Sequence, residues 1–281
     1  MVSEKRKTWA CFLSCIALLL AFAVQSTAAG DKLVIVTIPD YQAETLKIKY
    51  APLVELLSRK LHKQVDFVIA QNYEEVGKRI DLQAADLGIL GPNSYVEAKE
   101  KFPELIYLAT CKDPEAYYHS LIITRKSSRL KSLAALKGTS FGYTETKSTS
   151  GYLYPRQMIK KAGFDPDTFF SKTYFLNRHD KIYDAIAKGT IDAGGVSSLS
   201  WNEAIKRNGD VFQILGTSDP IPWNPVVAGP HLSPKIIAEI REILRNAEHD
   251  KTFTNSSSTL RGFLVKDDSF YDIVRQERRQ K

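Results

Sequence analysis

Residues 65–90 read VDFVIAQNYEEVGKRIDLQAADLGIL, and this stretch decides the fold. It begins with the apolar run VDFVIA, which is typical of a buried strand. Asn72 follows as an N-cap for a short helix that reaches Ile80. A second apolar run, DLGIL, ends before a Gly-Pro pair, where turn formers break the strand. The order strand, helix, strand predicts a mostly parallel sheet with helices on both faces.

The same alternation extends in both directions from this unit. Upstream, LVIVTI (33–38) predicts a strand, and apolar residues from Leu46 to Leu61 recur at helical spacing. Downstream, a second set of strands is predicted at SFGY (140–143), TYFL (173–176) and IDAGGV (191–196). The segments 111–119 and 216–225 are the predicted crossings between the two sets. A single doubly wound domain with insertions is the alternative architecture.

The first 29 residues form a separate segment. Three basic residues precede the apolar run WACFLSCIALLLAFAV (9–24), and a small-residue stretch follows it. This order predicts a secretory signal peptide, residues 1–29, with a retained N-terminal anchor as the alternative. No later segment has about 18 uncharged apolar residues. The mature chain is therefore predicted to be a soluble periplasmic protein.

Composition and charge narrow the class of protein further. The net charge of +7 is modest, and a secreted chain rarely meets nucleic acid, so no nucleic-acid partner is predicted. The histidines are scattered without paired ligand spacing, which predicts no metal and no cofactor. Cys11 and Cys15 leave with the signal peptide, so Cys111 remains without an intrachain disulfide partner.

The most informative polar stretch is KSTSGYLYP (147–155). Three consecutive hydroxyl residues, Ser148, Thr149 and Ser150, precede a helix predicted to start near Gly151. A helix N-terminus presents unpaired N–H groups and partial positive charge, and the hydroxyls add donors beside them. Gly151 is expected to let the backbone approach a ligand closely. The stretch predicts an anion site, with an ordinary Ser/Thr cap as the alternative.

Four stretches, in order, give the chain a family resemblance. They are DLGILGPNSYVEA (86–98), STSGYLYPRQMIKKAG (148–163), NRHDKIYDAIAKGTIDAGGV (177–196) and SDPIPWNPVVAGPHLSP (218–234). In these stretches the chain resembles the periplasmic substrate-binding proteins of phosphate, phosphite and phosphonate ABC transporters. The resemblance implies a bilobal α/β fold of the type II periplasmic-binding-protein class, with two mixed sheets joined by a two-crossing hinge. Lobe 1 is expected to contain residues 30–112 and 224–281, and lobe 2 residues 113–223.

The resemblance also implies a function and a partner. Such a protein closes two lobes on a small oxyanion and then docks on the membrane permease of an ABC transporter. The expected ligand is phosphite, phosphate or an alkylphosphonate. The chain is expected to work as a monomer, without a cofactor and without enzymatic activity.

A set of ligand-binding residues follows from the same resemblance. The hydroxyls and the imidazole of this set are expected to donate hydrogen bonds to the oxyanion, with Tyr73 and Tyr118 donating from opposite lobes. The set comprises Tyr73, Tyr118, Ser148, Thr149, Ser150, His179 and Asn224. Ser94 and Tyr95 are added to it because they lie at the turn after DLGILGP, at the carboxyl end of a strand.

Two positions depart from the aminophosphonate binders of the family. Those proteins present carboxylates to the ammonium group of the ligand, whereas the corresponding residues here are Leu199 and Asn224. An ammonium group buried there without a partner would cost several kcal/mol. Aminoalkylphosphonates are therefore expected to bind poorly, and phosphite, phosphate or methylphosphonate to be preferred.

Cys111 is a further departure, because family members commonly carry a non-thiol residue at this crossing. One interpretation is a buried, small apolar side chain. The alternative is an arsenite sensor that binds through the Cys111 thiolate and partners a membrane histidine kinase, as related proteins do. A secreted phosphoester hydrolase using Ser148 and His179 is another alternative, although the chain lacks a G-x-S-x-G elbow.

Overall fold

The structure is a computed structural model that describes residues 32–113, 115–256 and 258–280, so the predicted signal peptide lies outside the described residues. The strands are β1 Lys32–Thr37, β2 Gln64–Ile69, β3 Leu87–Ile89, β4 Ile106–Lys112, β5 Tyr117–Tyr118, β6 Ser120–Arg125, β7 Ser140–Tyr143, β8 Lys172–Phe175, β9 Ala193–Ser197, β10 Phe212–Thr217, β11 Ile221–Pro222, β12 Pro225–Ala228 and β13 Gly262–Leu264. The α-helices are α1 Ala43–Leu61, α2 Tyr73–Asp81, α3 Pro92–Lys101, α4 Tyr154–Lys161, α5 His179–Lys188, α6 Trp201–Asn208, α7 Pro234–Arg245, α8 Lys251–Thr254 and α9 Asp272–Arg279. None of the described helices has the length and apolar character that a membrane span requires.

The first sheet has the strand order β13-β4-β12-β3-β1-β2. β1 pairs in parallel with both β2 and β3, so Val36 lies opposite Val68 and Gly88. β12, β4 and β13 run antiparallel to their neighbours. This sheet therefore combines strands from the beginning and from the end of the described chain.

The second sheet has the strand order β10-β6-β9-β7-β8. β7 is parallel to β8 and β9, whereas β6 is antiparallel to β9 and β10. The chain passes between the sheets after β4 and after β10, and β5 pairs with β11 in these passages, with Tyr118 opposite Ile221. Two mixed sheets with flanking helices confirm the predicted fold class.

The second sheet has a hydrophobic core on each of its faces, because successive side chains of a strand point to opposite faces. In β6, Leu121 and Ile123 pack with Ile182 on one face, and Ile122 packs with Phe141 on the other. Successive strand residues point to opposite faces, so a fully apolar strand serves both layers. This sheet is therefore buried on both sides, as its near-continuous apolar strands predict.

The carboxyl ends of the parallel strands of the two sheets meet. The segment after β1 contacts the start of α5, where His179 N–H donates to Asp40 O at 3.2 Å. The segments after β2 and β7 also meet, since Tyr73 N–H donates to Glu145 Oε2 at 3.1 Å. Ligands of open α/β sheets bind at such strand ends.

Candidate functional site

The three predicted hydroxyl residues lie at the start of a π-helical turn, Thr149–Leu153, which leads directly into α4. Ser148, Thr149 and Ser150 are all buried. Ser148 Oγ accepts the N–H of Gly151 at 3.1 Å and so caps the turn. Because the oxygen accepts in this bond, the hydroxyl hydrogen can still donate to another group.

Gly151 has a packing role that was not predicted. A Cβ at this position would lie 2.0 Å from Thr144 Oγ1. Thr144 N–H also donates to Gly151 O at 3.2 Å. The glycine therefore lets the turn pack against the end of β7, and the approach of a ligand to its backbone stays a prediction.

Tyr73 and Tyr118 lie beside the three hydroxyls. Tyr73 begins α2, after a strand of the first sheet, and Tyr118 ends β5 in the passage to the second sheet. Burial raises the pKa of both phenols. The nearby hydroxyl of Ser148 opposes this shift at Tyr73, and those of Ser150 and Thr149 oppose it at Tyr118. These five predicted residues are thus brought together.

His179 is buried at the first position of α5 and adds a donor to this cluster. Its Nδ1 accepts the N–H of Ser197 at 3.2 Å, so the neutral ring carries its hydrogen on Nε2. Burial, assisted by the charge of Lys49, lowers the pKa of His179 to about 3. His179 is therefore an uncharged donor at neutral pH.

Lys49 is a buried cation that was not predicted from the sequence. It projects from α1 with 8% of its surface exposed. Its Nζ lies 4.9 Å from the ring centroid of Trp223, 5.2 Å from that of Tyr50 and 5.7 Å from that of Tyr41. Aromatic faces attract a cation without neutralising it. Lys49 therefore supplies positive charge that an anion can pair with.

Asp40 is a second buried charge that was not predicted. It follows β1 and is 7% exposed. Burial raises the pKa of Asp40 to about 6, against the opposing effect of Lys49. The prediction about ammonium ligands rested on the positions of Leu199 and Asn224, and Asp40 is an acid outside these two positions.

Several buried polar atoms in the described chain have no hydrogen-bond partner. Four of them belong to Asp40 and to residues near Asp40 and Lys49. They are Asp40 Oδ1, the Tyr50 hydroxyl, Trp223 Nε1 and Asn224 Nδ2. Buried polar groups are normally hydrogen-bonded, so this concentration indicates a place for a polar ligand. A cavity of about 640 Å³ adjoins them and is lined in part by Lys49, Leu199 and Trp223.

Ser94 and Tyr95 lie on α3, a helix where only a turn was predicted. The Ser94 hydroxyl donates to Gly91 O at 2.9 Å, which uses its hydrogen. The Tyr95 hydroxyl bonds to Asp268, and its ring packs against Tyr271 with centroids 5.0 Å apart. Tyr95 therefore belongs to a separate aromatic cluster and not to the candidate site.

Cys111 is buried at the end of β4, near the unpartnered groups. Its N–H donates to Asn224 O at 3.0 Å, and the thiol lies near the buried phenol of Tyr50. Burial raises the pKa of the thiol to about 12, although Lys49 opposes the shift. Cys111 is therefore a protonated thiol beside the cluster.

Comparison with known proteins finds relatives that span most of the chain. The phosphate-import protein PhnD of Mycolicibacterium smegmatis is 26% identical over 262 residues, which cover 85% of this chain and 82% of that protein. The probable ABC transporter phosphite binding protein PhnD1 of Prochlorococcus marinus is 27% identical over 178 residues, 61% of this chain and 60% of that protein.

A solved structure and a family model extend these similarities. The structure of PhnD1 from Prochlorococcus marinus in complex with methylphosphonate superposes with a TM-score of 0.81 at 21% identity, covering 89% of this chain and 98% of that one, which supports the fold. The model for the periplasmic substrate-binding proteins of phosphonate ABC transporters matches residues 35–271. The chain therefore belongs to the family of periplasmic phosphonate-binding proteins of ABC transporters.

Proposed function

We propose that this chain captures a small phosphorus oxyanion between two lobes and delivers it to the permease of an ABC transporter. Lobe 1 comprises residues 30–112 and 224–281, and lobe 2 comprises residues 113–223. The observation that carries the proposal is that the buried hydroxyls at 148–150 and His179 lie near each other where the two sheets meet. Ser120 Oγ donates to Ser150 O at 2.7 Å, Ser120 pairs with Ser197 across β6 and β9, and Ser197 N–H donates to His179 Nδ1 at 3.2 Å. Relatives named for phosphate import and phosphite binding support this ligand class.

The donors of the cluster are sufficient for a useful affinity. Each hydrogen bond to a charged oxygen contributes about 1.5–3 kcal/mol net. Three or four such bonds reach the roughly 8 kcal/mol that micromolar binding requires. Lys49 adds a positive charge that is already buried in the folded protein. Its desolvation cost is therefore part of folding and does not reduce the affinity for the anion.

Contacts between the lobes support closure as the mechanism. Asn93 N–H donates to Thr149 Oγ1 at 2.8 Å, and Asn93 Nδ2 donates to Lys147 O at 3.0 Å. Gln42 Nε2 donates to Asp180 Oδ2 at 3.2 Å. An anion that accepts hydrogen bonds from both lobes makes all of them only in the closed arrangement. It therefore binds that arrangement more tightly and shifts the equilibrium towards it. The closed pair of lobes then forms the surface that the permease recognises.

Ser150→Ala is expected to weaken phosphite binding by about 10- to 100-fold, because one donor worth about 1.5–3 kcal/mol is lost. Titration calorimetry on both proteins measures the ratio. Ser127→Ala removes an exposed hydroxyl from the turn after β6 and should bind like the wild type. If the wild type binds none of phosphite, phosphate and methylphosphonate, the proposed function is wrong.

2-Aminoethylphosphonate is expected to bind about tenfold more weakly than methylphosphonate, because like charges close together are unfavourable. The cavity beside the cluster is lined by apolar Leu199 and by Lys49, whose ammonium repels a second one. Asp40 does not reverse this expectation, since the charge of Lys49 already acts on it. Competition calorimetry at one pH gives the ratio directly. Tighter binding of the amino compound would contradict the proposed ligand class.

Arsenite sensing with a histidine kinase partner is a second candidate, favoured by the position of Cys111 beside Asn224 and Tyr50. Arsenous acid would condense with the thiol, forming an S–As bond and releasing water. Because the thiolate is the reactive form, a pKa near 12 opposes this step. We therefore expect weaker binding of arsenite than of phosphite. Cys111→Ser decides between the candidates: arsenite affinity that survives the substitution excludes the sensor.

The family and the geometry of Ser148 both argue against the hydrolase alternative. The family consists of substrate-binding transport proteins rather than enzymes. The Ser148 hydroxyl also accepts from its own turn and shares its surroundings with two neighbouring hydroxyls, an arrangement suited to binding an anion.

A further inference from the structure

Asp40 is a carboxylate inside a cluster that otherwise suits anions. Its Oδ1 is buried and has no hydrogen-bond partner in the described chain. Burial raises the pKa of the four buried tyrosines near it, and the charge of Asp40 adds to each shift: Tyr41, Tyr50, Tyr73 and Tyr118. The carboxylate therefore lies among the same side chains that are proposed to surround the ligand.

The groups around Asp40 leave this oxygen without a donor. Lys49 and Asp180 are the charged side chains that act on it, with opposite effects. Lys49 Nζ faces aromatic rings and is not within ion-pair distance of Asp40, and Asp180 is engaged by Arg178 at 3.1 Å. His179 contributes only its backbone N–H, which binds the carbonyl of Asp40 at 3.2 Å. A ligand that enters this region can supply the missing donor.

Two kinds of ligand group could donate to a carboxylate, an O–H or an ammonium. The ammonium of Lys49 already occupies this region, so a second one is disfavoured. An oxyanion without a proton offers only acceptors and would bring like charge against Asp40, which is strongly unfavourable in a buried site. A protonated oxygen satisfies the carboxylate and avoids this repulsion.

We propose that Asp40 selects oxyanions that hold a proton in the complex, shared between Oδ1 and one ligand oxygen. The site then accepts phosphite, phosphate or an alkylphosphonate and rejects sulfate, which does not hold a proton near neutral pH. This inference rests on the proposed oxyanion function and names the protonation state of its ligand. Burial raises the pKa of Asp40 to about 6, which suits a carboxyl group that shares a proton.

The test compares phosphite and sulfate on the wild type and on Asp40→Asn at pH 7.5. We expect the wild type to prefer phosphite over sulfate by about 100-fold or more, and Asp40→Asn to lose most of that preference because the like charge is gone. Asp66→Asn removes the same charge from an exposed pair with Lys32 and should keep the wild-type ratio. A ratio unchanged in Asp40→Asn would overturn the inference.

Proton uptake provides a second readout that does not require the variant to fold. Calorimetry of the wild type in buffers with different ionisation enthalpies, at a pH where phosphite is a dianion, should show uptake of about one proton per anion bound. Binding of phosphite without proton uptake would refute the role of Asp40 while leaving the oxyanion function intact. If the wild type binds no oxyanion, the proposed function itself fails.

Discussion

Lys49→Met is expected to weaken oxyanion binding by about 100-fold or more, since losing one partner of a buried charge pair costs about 2–5 kcal/mol. Among the described residues, Lys49 is the one buried Lys or Arg. Methionine keeps much of the aliphatic stem that packs under Tyr41, Tyr50 and Trp223 but removes the charge. The substitution also leaves the negative charge of Asp40 unopposed, which further disfavours an anion. Titration calorimetry with phosphite measures the loss.

Lys47→Met is the matched control for this experiment. Lys47 lies on the same helix but is exposed, and its Nζ pairs with Glu44 at 2.8 Å. An exposed pair of this kind contributes little to stability or to a distant site. We expect wild-type affinity for this variant. If Lys49→Met also keeps wild-type affinity while remaining folded, the positive charge of Lys49 is not part of the site.

Asp40→Asn is expected to raise the free energy of unfolding of the ligand-free protein by about 2–3 kcal/mol at pH 7. The folded pKa of about 6 lies above the ordinary value of 3.8, so the folded state binds more protons between these values. The wild type therefore loses stability as the pH rises from about 4 to about 6. Asparagine carries no charge and escapes this loss, so the advantage of the variant should disappear below pH 4.

Urea unfolding at pH 4 and pH 7 tests this prediction. His179 has the opposite effect on the pH profile, because its pKa of about 3 lies below the ordinary 6.5 and favours the folded state as the pH rises. The difference between the two proteins therefore isolates Asp40. Asp66→Asn should give no gain, since the hydrogen bond from Lys32 lowers the pKa of Asp66. A variant less stable than the wild type at pH 7 would contradict the burial argument.

The features that could be predicted from the sequence are local ones. The strand-helix-strand unit at 65–90 is visible because its apolar periodicity changes within a few residues. The hydroxyls at 148–150 are visible because they are contiguous and precede a helix. Helix α3 was missed because a Gly-Pro pair suggests a turn, although proline is also favoured at the first position of a helix.

The charged part of the site could not be predicted in the same way. Trp223 is far from Asp40 and Lys49 in the chain, and the pairing of β12 with β3 and β4 brings it beside them. One signal was available for Lys49, since it lies three residues after Leu46 and just before Tyr50, on the buried face of α1. A lysine on the apolar face of an amphipathic helix must either reach solvent or serve a buried function.

The contact between Trp223 and Lys49 means that the fluorescence of the protein should report whether an anion is bound. Indole fluorescence depends on nearby charge and on exposure to water. An anion that pairs with Lys49 alters the electric field at the Trp223 ring. Opening of the lobes would expose this buried ring to water. Emission intensity and wavelength could therefore follow each binding event in real time, without any attached dye.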